Sequence, residues 1–383
     1  MSYKYFIIIL LPFLFAACKN KSSDEKAPVY RWYKRYTGTI AGMPVVANLF
    51  FDGDKVAADG VLSVSGNYYY CRKSDQLDLV SGEIKNNVIE LKEYSAQDSD
   101  NQNAKHPRWL IKISDTGLSG TWMNADGNKT YPIRLKENYG PGSYAFDVIT
   151  VQDSTTFKGP KEEYQMSSDY TLLSPKDKTS TIGKFIVDAI IHALASDSLG
   201  AKDLEEFIKI SNKKDFNGFT SSLKDMLKDT SNDAPEPDNW DENMNSTLEY
   251  NDRGLLVFGF FSEGYTGGAH PNHYSKFLTL DLASKKILRL GDILNVDTLK
   301  LGYLLESDVR KRFNIQPGEP LDNKLMVDTI PFTENFIISE TGITFFYNIY
   351  ELASPADGDS EYYLSYEQLG DMVKPEFRAR MQQ

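Results

Sequence analysis

A chain of 383 residues exceeds what one hydrophobic core ordinarily holds and suits two or three domains. Its formal net charge of −12 argues against nucleic acid, whose phosphates call for a basic face. The same charge argues against adhesion to anionic lipid by electrostatics alone.

The first residues carry the sharpest signal. Lys4 precedes an apolar run from Phe6 to Phe15, and Ala16-Ala17 stand directly before Cys18. A charged start, a short apolar core and small residues predict a secretory signal over residues 1–17. The run is shorter than the roughly 20 residues of a spanning helix. The arrangement resembles the lipobox of bacterial lipoproteins, with Phe15 where leucine is commoner. That resemblance implies fatty acyl chains such as palmitate on Cys18, enough of them to anchor the chain to a membrane. It also implies a place in the cell envelope outside the cytoplasm, on the outer membrane if the source is Gram-negative. Residues 18–29 then form a polar tether. With Cys18 lipidated, Cys71 has no partner for an intramolecular disulfide, and a cysteine-based zinc site is excluded.

Residues 30–139 read as a β-rich domain. Val45 to Phe51 is strand material, and short apolar runs alternate with turns such as Asp52-Gly53-Asp54, Lys85-Asn86-Asn87 and Asp126-Gly127-Asn128. A hydroxyl residue followed by glycine recurs before strand-forming residues at Thr37-Gly38, Ser65-Gly66, Ser81-Gly82 and Ser119-Gly120. Glycine inside a strand marks a bulge or bend, so the expectation is an antiparallel meander, curved or closed as a small barrel. Asn138 to Ser143, with Gly140, Pro141 and Gly142, marks a boundary.

Residues 144–245 read as a mixed module. Strands are expected over Tyr144–Val151 and Tyr164–Leu173. Ile182, Phe185, Ile186, Ala189, Ile190 and Ala193 then recur at helical spacing behind a Ser180 or Thr181 cap. Two more helices, Ala201–Asn212 and Phe216–Lys228, precede a loop over Asp229–Asn239. Residues 246–383 return to strands at Thr247–Asn251, Leu255–Ser262, Phe277–Leu282 and Ile287–Leu290. A helix follows over Asp297–Phe313, then strands at Phe336–Ser339, Ile343–Tyr347 and Tyr362–Leu364, and a closing helix from Tyr366. Strands and helices do not alternate regularly, so the fold class is α+β.

In this last segment, Gly264-Tyr265-Thr266-Gly267-Gly268-Ala269-His270-Pro271 precedes Leu280-Asp281-Leu282 and Leu288-Arg289-Leu290-Gly291-Asp292-Ile293-Leu294. Phe345 to Ala353 and Tyr363-Leu364-Ser365-Tyr366 follow. Over about Thr247 to Val373 this ordered set resembles the C-terminal domain of RsiV-type anti-sigma factors, a domain of unknown function shared with PdaC-type peptidoglycan deacetylases. A weaker likeness to the module preceding that domain covers Tyr144 to Asp229. In the anti-sigma factors the domain is an extracytoplasmic sensor that binds lysozyme. The resemblance therefore implies fold and compartment. The chain lacks the sigma-binding segment and an obvious deacetylase domain.

Tyr265, Gly267, Gly268 and His270 form the candidate motif. One reading makes it a structural turn, with the glycines supplying backbone angles other residues resist and His270 tying the loop by hydrogen bonds. The other makes His270 and His273 zinc ligands, with Glu263 as the candidate third, but a three-residue spacing around Pro271 fixes no third ligand. The turn is favoured, and no metal, cofactor or catalytic residue is assigned. His192 lies off the apolar stripe of its helix and His106 in a loop. Trp32, Trp109, Trp122 and Trp240 offer faces for sugars, though core packing is the commoner use. The expected function is non-enzymatic: a cell-envelope lipoprotein binding an extracytoplasmic protein or glycan. The alternative is an enzyme acting on cell-wall glycan or peptide, with His270 in its site.

Overall fold

The computed structural model of the protein describes residues 30–382 except 54–60, 72–75, 86–87, 96–103, 115–116, 196–199, 229–237 and 269. The signal, Cys18, the tether and most of the expected 229–239 loop lie outside the described residues.

Eight strands make up the N-terminal part: β1 (Tyr30–Ile40), β2 (Met43–Gly53), β3 (Val61–Tyr70), β4 (Leu77–Lys85), β5 (Val88–Tyr94), β6 (Arg108–Ser114), β7 (Gly117–Met123) and β8 (Thr130–Glu137). Each pairs antiparallel with the next, and β8 returns to β1 from Tyr36↔Glu137 to Ile40↔Ile133, closing a barrel. Tyr36, Leu49, Tyr68, Leu91, Trp109 and Ile111 fill its interior, as an eight-stranded barrel permits. One charged side chain shares that interior. Glu93 accepts hydrogen bonds from the Tyr68 hydroxyl at 2.5 Å and Trp122 Nε1 at 2.9 Å. The recurring glycines have a common cause. A Cβ on Gly38 or Gly66 would lie 2.0 Å from the carbonyl oxygen of Arg134 or Asn48, and one on Gly120 2.1 Å from that of Leu110. The wall curves so tightly that strand backbones meet where a side chain would stand.

Alternation along a strand sends successive residues to opposite faces. In β1 to β3 the outward face is buried too, because it lies on the second half of the chain. Arg35, 4% exposed, leaves the barrel to reach the carbonyls of Asn251 and Asn138, each at 2.8 Å, and pairs with Asp252 at 3.0 Å. Tyr33 donates to Asn48, Asn48 to Asn67, and Asn67 to the Leu248 carbonyl. Tyr69 stacks on Tyr250, with ring centroids 5.6 Å apart.

The second half holds β9 (Phe146–Lys158), β10 (Glu163–Pro175), α1 (Thr181–Leu194), α2 (Leu204–Met226), β11 (Trp240–Asp252), β12 (Leu255–Tyr265), β13 (Asn272–Asp281) and β14 (Lys286–Leu288). Its sheet runs β14-β13-β12-β11-β10-β9. Only the β10–β11 pair is parallel, and α1 and α2 form the crossover between them. Position 245/246 falls inside β11, and this sheet runs across it. Beyond it come α3 (Leu290–Ile293), α4 (Thr298–Arg312), β15 (Phe336–Ile338), β16 (Gly342–Tyr347), β17 (Ser360–Ser365), α5 (Tyr366–Leu369) and α6 (Pro375–Met381), with β15, β16 and β17 in a separate sheet. The described chain is mostly antiparallel β with a few helices, compatible with the α+β expectation. No helix among the described residues is long and apolar enough to cross a membrane.

Two local expectations need correction. The helices expected over Ala201–Asn212 and Phe216–Lys228 are one, started by the Asp203 carboxylate, which accepts from Glu206 N at 2.8 Å. The intervening Lys213-Lys214-Asp215 is polar but contains no breaker, and Gly218 is tolerated inside the helix at a cost of about 1 kcal/mol. The closing helix is instead two short ones. Gly370, at φ +58°, ends α5, and Pro375 starts α6.

The polar run does interrupt something. Near its start α2 packs Leu204, Phe207 and Ile208 into the same cluster as Tyr170 and Leu172 of β10. Near its end Phe219 and Leu223 join Tyr164 and Met166. Between the two clusters lie Asn212 and Asp215 of α2, Ser168 of β10 and, beside Ser168 in register, Glu242 of β11. Burial, and then the nearby Asp215 carboxylate, push the Glu242 carboxyl up to about 7, with the Tyr170 hydroxyl hydrogen-bonding it in opposition. Burial raises Asp215 as well, partly offset by Lys214. A carboxyl raised on folding lends stability below its unfolded value, near 4.5, and loses that contribution as pH climbs through about 7. The folded chain should therefore lose stability between pH 5 and 8 through this group. Glu242→Gln should flatten that part of a pH series of urea midpoints, and an unchanged slope would remove Glu242 as its source.

Candidate functional site

The glycine motif lies in the connection from β12 to β13. Gly267 and Gly268 have φ of +89° and +103°, angles L-residues resist, and no atom lies within 4 Å of a Cβ at either. The Tyr265 hydroxyl sits 2.8 Å from Asp238 Oδ2 and 3.0 Å from the Gly268 carbonyl, closing the turn. His270 is exposed, and its Nδ1 donates to the adjacent Pro271 carbonyl at 2.8 Å. His273 points elsewhere, to Asp359 at 3.2 Å, and lies opposite Glu263 in the sheet. Asp359 also accepts from Ile349 N at 3.0 Å, so His273 fastens the segment after β16 to β13. Among the described residues no three His, Cys, Asp or Glu side chains gather as a metal centre.

Gly268→Val should lower unfolding free energy by about 1–2 kcal/mol through backbone strain alone, while Gly268→Asn should cost less than half as much. Equal losses in denaturant titrations would point to a lost contact instead.

A cleft of about 490 Å³ opens elsewhere, where four segments distant in sequence meet. Phe277 and Leu278 of β13, Ile287 and Leu288 of β14, and Phe336 of β15 supply its apolar lining. Lys276 and Arg289 supply positive charge, with His192 at the end of α1 beside them and Glu334 opposite. Lys276 Nζ donates to the Ala193 carbonyl at 2.6 Å, holding the end of α1 at the rim. Glu334 accepts from Leu290 N at 2.9 Å, holding the far wall. Thr279 lines the cleft with a buried hydroxyl that has no partner among the described residues. Asn335 bridges the walls, accepting from Phe277 N and donating to the Ser275 carbonyl, each at 2.9 Å. A few convergent polar groups over an apolar floor, in a volume of this size, are what a small-ligand site needs. Sequence reading placed none of these residues in a site. Lys276 to Thr279 reads only as a strand, and no periodicity links it to positions 192, 289 and 334.

The tryptophans divide differently from a sugar platform. Trp109 is buried in the barrel, Trp32 stacks on Phe51 at 5.3 Å, and Trp240 packs on Phe219 at 5.4 Å. Trp122 is half-buried beside Tyr131.

Residues 292–367, from α3 through β17 into α5, match a family described as a protein of unknown function, DUF3298. This part of the chain is a DUF3298 domain. The match lies within the Thr247–Val373 segment and names a domain of unknown function. A DUF3298 family protein from Bacteroides fragilis is similar in structure at 21% identity, with a TM-score of 0.52, covering 63% of this chain and all of the other. At that identity the likeness speaks for the fold alone. A DUF3298 family protein from Pseudomonas aeruginosa is 18% identical, with a TM-score of 0.37, and covers 61% of this chain and 96% of the other. No curated protein matches the chain. The DUF3298 domain contributes the β15 wall of the cleft, and β13, β14 and α1 complete it from outside the matched residues.

Proposed function

We propose that the protein is a binding lipoprotein of the cell envelope, held by acyl chains on Cys18 and turning nothing over. Its ligand is an extracytoplasmic glycan or protein segment that carries a carboxylate. The cleft carries this reading: an apolar floor to take a ring or side chain, and a cationic rim at Lys276 and Arg289 to take an acid. The acidic chain as a whole repels anions at long range, so recognition of an acid depends on that local rim. The anti-sigma resemblance supports an outward-facing sensor, and the charge of −12 also suits a cationic protein such as lysozyme. The enzyme alternative has less behind it. His270 is engaged with its neighbour's carbonyl in an exposed turn, away from the residues that line the cleft.

Labelled fatty acid should enter the wild-type chain and not Cys18→Ala, and equal labelling of the two would remove the anchor. The full chain in detergent, titrated calorimetrically with soluble peptidoglycan fragments, should bind at least ten times more weakly after Lys276→Glu with Arg289→Glu. Binding of lysozyme alone, unchanged in that variant, would move recognition away from the cleft. Steady product release from peptidoglycan, abolished by His270→Ala, would make the protein an enzyme.

A further inference from the structure

The polar layer beneath α2 has more oxygen than a core layer needs. Asn212 is 2% exposed and Ser168 5%. Both polar atoms of the Asn212 amide, and the Ser168 hydroxyl, lack hydrogen-bond partners among the described residues. Buried amides and hydroxyls are almost always satisfied, because leaving one bare costs free energy. Asn212 and Asp215 stand one turn apart on the helix face turned to the sheet, between Ile208 and Phe219, which are both buried. Ser168 and Glu242 are register partners on the two parallel strands below. Glu242 interacts with both the Asp215 carboxyl and the Tyr170 hydroxyl. Among the described residues neither carboxylate has an ion-pair partner. Two adjacent, half-buried acids and unpartnered neutral oxygens therefore share one layer.

We propose that this layer binds a hard divalent cation, calcium by preference, through the carboxylates of Asp215 and Glu242, the amide oxygen of Asn212 and the hydroxyl of Ser168. The donors are all oxygen. That disfavours zinc, which prefers sites with nitrogen or sulfur ligands, and matches calcium, which accepts six to eight oxygens in irregular geometry. Magnesium demands a near-octahedral set and keeps its waters. A side-chain set drawn from one helix face and two strands has no such regularity. A bound cation would neutralise the two carboxylates and join α2 to β10 and β11 in the place where the apolar contacts stop.

Thermal melts and calorimetry of the chelator-treated full chain in detergent at pH 7.5 test this. Calcium should bind one to one and raise the melting midpoint by about 4 °C or more near saturation. Asp215→Asn and Glu242→Gln should each abolish the heat and the shift, whatever they do to the starting midpoint. Ser168→Ala, a milder change, should weaken binding about tenfold and keeps the test open if a carboxylate variant does not fold. Absence of heat and shift at millimolar calcium would overturn the proposal, leaving the layer to share a proton. A calcium shift retained in Glu242→Gln would place the ion elsewhere, and a response to magnesium alone would remove the calcium preference.

Discussion

Arg35 is the residue on which the two halves of the chain depend. A guanidinium this buried is tolerated only when its donors are nearly all used. Asn251, Asn138 and Asp252 supply those acceptors from the later sheet and from the segment that joins the halves. Removing either side would strand charge or bare carbonyls in the interior, so the barrel and the mixed sheet are fixed against each other by a mutual need. The chain of Tyr33, Asn48 and Asn67 repeats the arrangement a few ångströms along. A seam of this chemistry is directional. Hydrophobic faces slide, whereas amides and a planar guanidinium specify one register.

That seam also positions the cleft, indirectly. Asn251 and Asp252 close β11, β12 returns from them, and β13 pairs along β12. The floor of the cleft is thus two strands removed from the barrel contact, on a sheet whose tilt the contact sets. Asn335 then fixes the second sheet to β13 by imitating a strand partner with its side chain. The cleft is a gap between the edges of two sheets, with Arg289 and Glu334 supplied by the segments that connect strands and helices.

The sequence showed the barrel more fully than the site. Gly38, Gly66 and Gly120 announced curvature because tight approach of strands leaves no alternative to glycine. The α2 helix was read as two because Lys213, Lys214 and Asp215 are polar. Periodicity alone does not distinguish a polar break from a polar layer turned inward. The glycine turn was legible from Gly267 and Gly268, since positive φ is a local property. The cleft was not, because its chemistry exists only where residues 192, 276, 289 and 334 meet, and their spacing along the chain carries no trace of that meeting.

Closure of the barrel by β1 against β8 sets an order of events for a chain that emerges from its N-terminus. β1 is made first and its final neighbour last, so an open sheet with two unpaired edges must persist until Thr130–Glu137 arrives. Through that interval the outward face of β1 to β3, with Tyr33, Val46 and Tyr69, also waits for partners from the later half. Newly made chain is therefore adhesive both along its strand edges and across one sheet face. The hazard ends only when residues near 250 have been delivered. Holding the nascent protein apart from its copies, by a chaperone or by dilution, would bear on its yield more than any single contact in the finished fold.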